Sequence, residues 1–368
     1  MVSTPSRILS KNSSNTPPFF WNRSFTPLER ESSIMPKKSL QTLLALFCCV
    51  LLYFLFHETF LGIFHDSQNS QSQDPKDPKD PKDPKDPLSA HPSTSNPHLQ
   101  QNPFTIPSLQ EGRLQLGSFN IQVFGKSVLS NSRQMKTLKT IIRSFDLVAI
   151  QEIRNKEDTH LQDFLKAVNQ GESIAYEGII SPRLGRSSSK EQYAFLWNPR
   201  KVQYSKNSAT LLADLDNDFE REPYCAHFRS GNFDFLAINL HLKPEEAFYE
   251  IRALAKAVEA LLSQKEKDIL VMGDFNADGS YFDESALQLE LPQWIPLITN
   301  EMDTMVKTDW TYDRIMVSPG VLHEFIKYSA KPWHWDKTLG ESDIEYVFKI
   351  SDHYPVTAQF NTTLPDDD

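Results

Sequence analysis

From Gly112 onward, short runs of alternating apolar and polar residues recur along the chain, the period-2 signature of half-buried strands. The spacing predicts strands over 114–121, 147–153, 194–197, 233–242, 269–273, 313–317 and 356–360. Between them the period lengthens to that of a helix at 132–143. It does so again at 244–262, where Pro244 suits a first turn and Ala247, Ile251, Leu254, Val258 and Leu261 form one stripe. Strands interleaved with helices predict an α/β domain with mixed sheets packed into a single core.

Upstream the pattern is different. Residues 1–34, rich in Ser, Thr, Pro and Asn, bury too little apolar surface to offset ordering entropy and read as a disordered tail. Lys37 and Lys38 then precede an apolar run over 40–56, broken only by Gln41, and a second apolar piece over 60–64. Extended to Phe64, the run is long enough for a bilayer core of ~30 Å, and no small-x-small cleavage site follows it. Segment 35–64 therefore reads as a signal-anchor or transmembrane helix, with Met35 a second candidate start. The basic pair would hold the N-terminus in the cytosol. Over 74–87 the sequence repeats Asp-Pro-Lys within a Pro-rich linker spanning 65–111. Proline at every third position forbids helix and sheet pairing, which leaves an extended spacer. The folded unit is expected over 112–361, with an acidic tail at 362–368, and the catalytic part either membrane-anchored on the extracytoplasmic side or secreted.

Composition narrows the chemistry. Two of the three cysteines, Cys48 and Cys49, lie in the apolar run, so Cys225 has no disulfide partner in the folded unit and a Cys-rich zinc module is excluded. The formal charge of −10 resides in the folded unit, because the first 111 residues balance. A polyanionic substrate would require those carboxylates to be masked by metal ions or turned away from it.

Polar residues recur where the predicted strands end: Asn120, Glu152, His241, and Asp274 with Asn276. Ser351-Asp352-His353 precedes the last strand. Sheet ends are where α/β folds place their sites. If strand geometry persists, residues two apart share a face, so Asp274 with Asn276, and Asn239 with His241, would point into common pockets. Glu152, Asp274, Asn276, Asp313 and Asp352 offer hard oxygens, which suit Mg²⁺, Mn²⁺ or Ca²⁺ better than zinc. His241 and His353 remain for proton transfer, with a carboxylate partner fixing the tautomer of each.

Five segments, Ser118-Phe119-Asn120-Ile121, Gln151-Glu152-Ile153-Arg154, residues 181–197 (SPRLGRSSSKEQYAFLW), residues 239–251 (NLHLKPEEAFYEI) and Gly273-Asp274-Phe275-Asn276-Ala277, resemble the deoxyribonuclease I-like branch of the endonuclease/exonuclease/phosphatase superfamily. Tyr312-Asp313-Arg314-Ile315 and Ser351-Asp352-His353-Tyr354-Pro355-Val356 complete the pattern in order. The resemblance implies a four-layer α/β sandwich, two mixed β-sheets flanked by helices, and metal-dependent phosphodiester hydrolysis, most simply by an endonuclease acting on DNA with Mg²⁺ or, in its place, Mn²⁺. It implies that Glu152 holds the metal with Asn120 and Asp352 near it, and that Asp274 and Asn276 face a second metal or the scissile phosphate. His241 and His353 become acid and base, paired with Glu191 and Asp313 respectively, and which is which stays open.

The same resemblance assigns substrate contacts to Arg154, Arg221, Asn276 and Tyr281, although surface ion pairing is an alternative for the two arginines. The chain departs from the family at Ser189, where a tyrosine is usual. It departs again at Gly279 and Trp310, which occupy the positions of a structural disulfide, and packing of Trp310 is the expected compensation. Asp214, Asp216 and Asp218 with Glu222 could hold a structural Ca²⁺, though a solvated turn is the preferred reading. Two other functions compete: a sphingomyelinase-like lipid phosphodiesterase, which the apolar anchor favours, and a non-catalytic stalked binding module, which the filled acid, base and ligand positions disfavour.

Overall fold

The computed structural model describes residues 111–366 except 158, 189 and 263–266. The expected tail, anchor and Pro-rich linker lie outside the described residues apart from Glu111, as does Ser189. Among the described residues no helix is long and apolar enough to cross a membrane.

Among the described residues thirteen strands form two sheets. β1 (Arg113–Phe124), β2 (Leu147–Ile153), β3 (Glu177–Ile180) and β4 (Gln192–Trp197) lie in the first. β5 (Gln203–Tyr204), β6 (Thr210–Leu211), β7 (Tyr224–Ser230), β8 (Phe233–His241), β9 (Ile269–Asp274), β10 (Ile295–Pro296) and β11 (Asp313–Val317) form the second. β12 (Lys331–Pro332) and β13 (Val356–Asn361) return to the first. The orders are β12-β13-β1-β2-β4-β3 and β10-β11-β9-β8-β7-β5, with β6 beside β7. β1 with β2 and β8 with β9 are parallel and the other neighbours antiparallel, so both sheets are mixed.

The expectation of a single core gives way to three apolar layers. Phe195, Phe228, Phe235, Met272 and Phe360 fill the space between the sheets. Helices Ser132–Ile142, His160–Asn169 and Ile344–Ile350 cover the outer face of the first sheet through Leu138, Phe164 and Val347. Helix Ala247–Leu262 covers the second through Ile251, Leu254 and Val258. Each sheet must bury both faces, and one interior cannot do that, so the fold has four layers. Pro244 opens a short 3-10 turn, Pro244–Glu246, and the α-helix proper begins at Ala247. Asn131 caps helix Ser132–Ile142, its Oδ1 accepting the N–H groups of Arg133 and Gln134 at 3.1 Å.

Gly273, at φ +145°, pairs with Leu240 across β8 and β9. A Cβ there would lie 1.9 Å from the Leu240 carbonyl oxygen. Gly273→Ala is expected to destabilise the protein by about 2–4 kcal/mol through backbone strain and overpacking. A melting temperature within a degree of wild type would refute this.

Cys225 is the one cysteine among the described residues; it is free and buried, and burial pushes its thiol up to about 12. Where the family resemblance would place a disulfide, Gly279 leaves room for the Trp310 ring, whose Cε2 lies 2.9 Å from the position of an added Cβ. Trp310 in turn stacks on Tyr312 at 5.5 Å. With packing in place of a clamp, the melting temperature of the folded unit should not change under dithiothreitol. A drop of several degrees would reveal a disulfide and contradict the reading.

Candidate active site

Strand register assembles the site. In the second sheet His241 pairs with Asp274 across β8 and β9, and Asp274 with Asp313 across β9 and β11, so three polar side chains stand in a row on adjacent strands. In the first sheet Asn120 pairs with Gln151, and a register shift after Ile150 puts Glu152 at φ +61°, a left-handed conformation that a non-glycine residue adopts at a cost. The loop before β13 brings Asp352 and His353 over these ends. Ser351 ties it down, its Oγ donating to the Asn120 carbonyl at 2.7 Å and accepting the His353 N–H at 3.1 Å.

Both histidines have the same arrangement. His241 Nδ1 lies 2.8 Å from Glu191 Oε2, and His353 Nδ1 lies 2.7 Å from Asp313 Oδ2. Each Nε2 lies 3.6 Å from Asp274 Oδ2, which also accepts Asn120 Nδ2 at 3.0 Å. The two imidazoles are thus anchored from behind by buried carboxylates and converge on one oxygen. Burial disfavours the charged form of each. For His353 the carboxylates of Asp313, Asp274 and Asp352 outweigh that effect and hold it well above the usual histidine value. His241 is also raised by Glu191 and Asp274, against burial and the nearby Arg221 cation.

Glu191 is buried, and the adjoining His241, Arg221 and Arg154 overcome the burial and hold its carboxyl down at about 2. Arg154 Nη2 lies 2.9 Å from Glu191 Oε1 and 3.3 Å from Glu152 Oε2. Arg221 Nη1 lies 3.4 Å from Glu191 Oε1, and its Nε donates to the His241 carbonyl at 3.2 Å. Arg221 is 7% exposed; its Nη1 and Nε are engaged within the protein, while its Nη2 is buried without a hydrogen-bond partner. Arg154 keeps a partly exposed edge while bridging the two carboxylates.

Asn276 corrects the expectation that it shares a strand face with Asp274. The chain leaves β9 at Asp274, and Asn276 turns to φ +47° with its N–H on Asp274 Oδ1 and its Nδ2 on the Leu242 carbonyl, each at 2.9 Å. It still packs beside the His241 segment, by a different route. Asn239 and His241 both lie within β8 and, two residues apart, share its inward face. The Asn239 amide crosses to the first sheet, donating to the Ile150 and Ala194 carbonyls and accepting Gln151 Nε2. Tyr281, partly exposed, lies 5.8 Å from the Tyr312 ring, which is itself 6.3 Å from His353.

Three site residues escaped the sequence reading. Tyr193 accepts the His241 N–H at 3.0 Å. Thr304 Oγ1 accepts the N–H groups of Tyr312 and Asp313. Gln122 donates to Asp352 Oδ2 at 2.9 Å. Tyr193 lies in a segment that carried the resemblance, but no pattern in the sequence marks Thr304.

The oxygen donors that could hold a divalent metal are the carboxylates of Glu152 and Asp352 and the amide of Asn120. Asn120 Oδ1 and Asp352 Oδ1 are buried without a hydrogen-bond donor, and the nearby Glu152 charge adds to the burial that raises the Asp352 carboxyl. A Mg²⁺ ion commonly uses one or two carboxylates and keeps several waters, so this donor set fits it. Among the described residues no group of three His, Cys, Asp or Glu side chains gathers as a ready-made metal cluster. The acidic loop is a turn: Asp214 accepts the N–H groups of Asp218 and Phe219, and Lys256 approaches Asp216 and Asp218.

The family model described as the endonuclease/exonuclease/phosphatase family matches residues 117–353. Deoxyribonuclease-1 of Bos taurus is 34% identical over 264 residues, covering 66% of this chain and 90% of the relative. Deoxyribonuclease gamma of Mus musculus is 33% identical over 285 residues, covering 73% and 91%. Among solved structures, an endonuclease/exonuclease/phosphatase family protein from Bacteroides thetaiotaomicron has 17% identity and a TM-score of 0.47, covering 68% of this chain and 98% of that one. The family match and the extent of the two deoxyribonuclease relatives show that this chain belongs to the endonuclease/exonuclease/phosphatase family, in its deoxyribonuclease I-like branch, and is a phosphodiester hydrolase.

Proposed function

We propose that the protein is a divalent-metal-dependent endonuclease that cleaves DNA. The observation that carries this reading is the convergence of two carboxylate-backed imidazoles, each Nε2 3.6 Å from Asp274 Oδ2. One imidazole, neutral, takes a proton from a water whose oxygen attacks phosphorus. The other, protonated, delivers its proton to the departing 3′ oxygen as the P–O bond breaks. Turnover exchanges their protonation states, and solvent resets them. Glu191 and Asp313 fix the tautomers so that each Nε2 edge faces the reacting atoms. Glu152, Asn120 and Asp352 would hold the metal, and Asp274 and Asn276 flank the phosphate position. Bound there, a Mg²⁺ ion supplies charge to the phosphoryl oxygens as they become more negative. Arg154, through its exposed edge, and Tyr281 are the substrate contacts that this reading keeps.

Export is part of the proposal and rests on the sequence: Lys37, Lys38 and the apolar pieces over 40–56 and 60–64 would place the catalytic unit beyond the cytoplasmic membrane, tethered or released. A supercoiled-plasmid nicking assay with Mg²⁺, run beside a sphingomyelin assay, tests the activity. Nicking without lipid hydrolysis supports the endonuclease. Lipid hydrolysis alone would replace it with the phosphodiesterase reading, and no turnover of either would leave a binding module.

A further inference from the structure

Glu250 lies in the first turn of helix Ala247–Leu262 and is completely buried. A carboxylate there would favour the positive end of the helix dipole even if exposed, so burial needs another reason. Its two oxygens supply one. Oε1 accepts the Glu220 N–H at 2.6 Å, and Oε2 accepts the Lys243 N–H at 2.8 Å. These two groups belong to separate loops. Glu220 precedes Arg221, and Lys243 follows His241 and Leu242. Between the two loops runs the link from Arg221 Nε to the His241 carbonyl at 3.2 Å, and Arg221 also reaches Glu191, the partner of His241 Nδ1. Burial raises the Glu250 carboxyl, while the two backbone donors and the Arg221 cation hold it toward ionisation. The buried charges therefore alternate: Glu250, Arg221, Glu191, then the imidazole.

We propose that Glu250 is a positioning residue for His241, clamping the backbone on either side of the Arg221–His241 link so that Glu191 and the imidazole keep their alignment. It touches no reacting atom. The inference rests on the DNA-cleaving reading above. It also gives a task to the Glu250-Ile251 end of the NLHLKPEEAFYEI segment, which the acid, base and ligand assignments leave unused. A displacement of about 1 Å at a catalytic group can cost on the order of 100-fold in rate. Glu250→Gln keeps the size and one acceptor but loses the second. Glu250→Asp keeps the charge but shortens the reach.

The test is plasmid nicking by the full chain with Mg²⁺, with kcat and KM measured separately. Each variant should lose about 10- to 100-fold in kcat with KM changed by less than about 2-fold. The decisive measurement is a pair of cycles. In the His241→Ala background E250Q should cost less than about 3-fold further, and in the His353→Ala background it should cost its full factor. An equal loss in both backgrounds would assign a general structural role and overturn the proposal. So would an unchanged kcat, or failure of both variants to fold at a temperature where His241→Ala is folded. An inactive wild type would count against the endonuclease reading; an active wild type with an unaffected E250Q would sink this inference alone.

Discussion

Alanine at His241 or at His353 should lower nicking by about two to four orders of magnitude, as expected when a general acid or base is removed. The two losses should be distinguishable by stability. His241→Ala leaves Glu191 buried, but Arg154 and Arg221 remain within ion-pairing distance of it. His353→Ala removes the one ion-pair partner of Asp313 among the described residues and leaves a fully buried carboxylate beside the like charge of Asp274. An uncompensated buried charge is the more costly outcome. The melting temperature should therefore fall further for His353→Ala than for His241→Ala. Near wild-type nicking by either purified variant would remove that histidine from the mechanism. A reversed order of stabilities would contradict the electrostatic account while leaving the chemistry intact.

The sequence made the strand ends legible because the chemistry sits where alternation stops. Strands 147–153 and 313–317 were placed at their observed bounds, and Glu152, His241, Asp274 and Asp313 fall at or beside the ends of β2, β8, β9 and β11. Alternation carries no information about what happens past a strand end. That is why Asn276 was given strand geometry that its φ of +47° denies, and why the bulge that reorients Glu152 was not foreseen. β7 was missed although Tyr224, Ala226 and Phe228 alternate, because Cys225 between them is apolar and buried in the opposite layer. Helix His160–Asn169 carries a stripe of Leu161, Phe164, Leu165 and Val168 that the sequence holds, but so short a segment is hard to tell from a loop. The arginines show a different limit. A residue type names its charge, and only the fold shows that Arg221 spends it on Glu191.

The second large effect concerns the metal. Excess EDTA should reduce nicking to background, and added Mg²⁺ or Mn²⁺ should restore it. The motive is a set of oxygen donors whose local satisfaction is incomplete. Asn120 Oδ1 and Asp352 Oδ1 are buried without a hydrogen-bond partner, while Glu152, held at φ +61°, accepts from the Val123 N–H and Asn120 Nδ2 at 2.9 and 3.2 Å. Orphaned buried acceptors and a strained backbone are both costs, and a cation among them would offset the first directly. An ion that binds only the folded protein also stabilises it, by about 2.7 kcal/mol at one hundred times its Kd. Mg²⁺ should therefore raise the melting temperature of the wild type without any substrate present. Glu152→Gln and Asp352→Asn should each weaken that shift, because a neutral amide replaces a carboxylate ligand. The melting shift is independent of turnover, so it separates a ligand role from a catalytic one. Activity persisting in EDTA would end the metal mechanism, and an Mg²⁺ shift undiminished in both variants would move the ion to other residues.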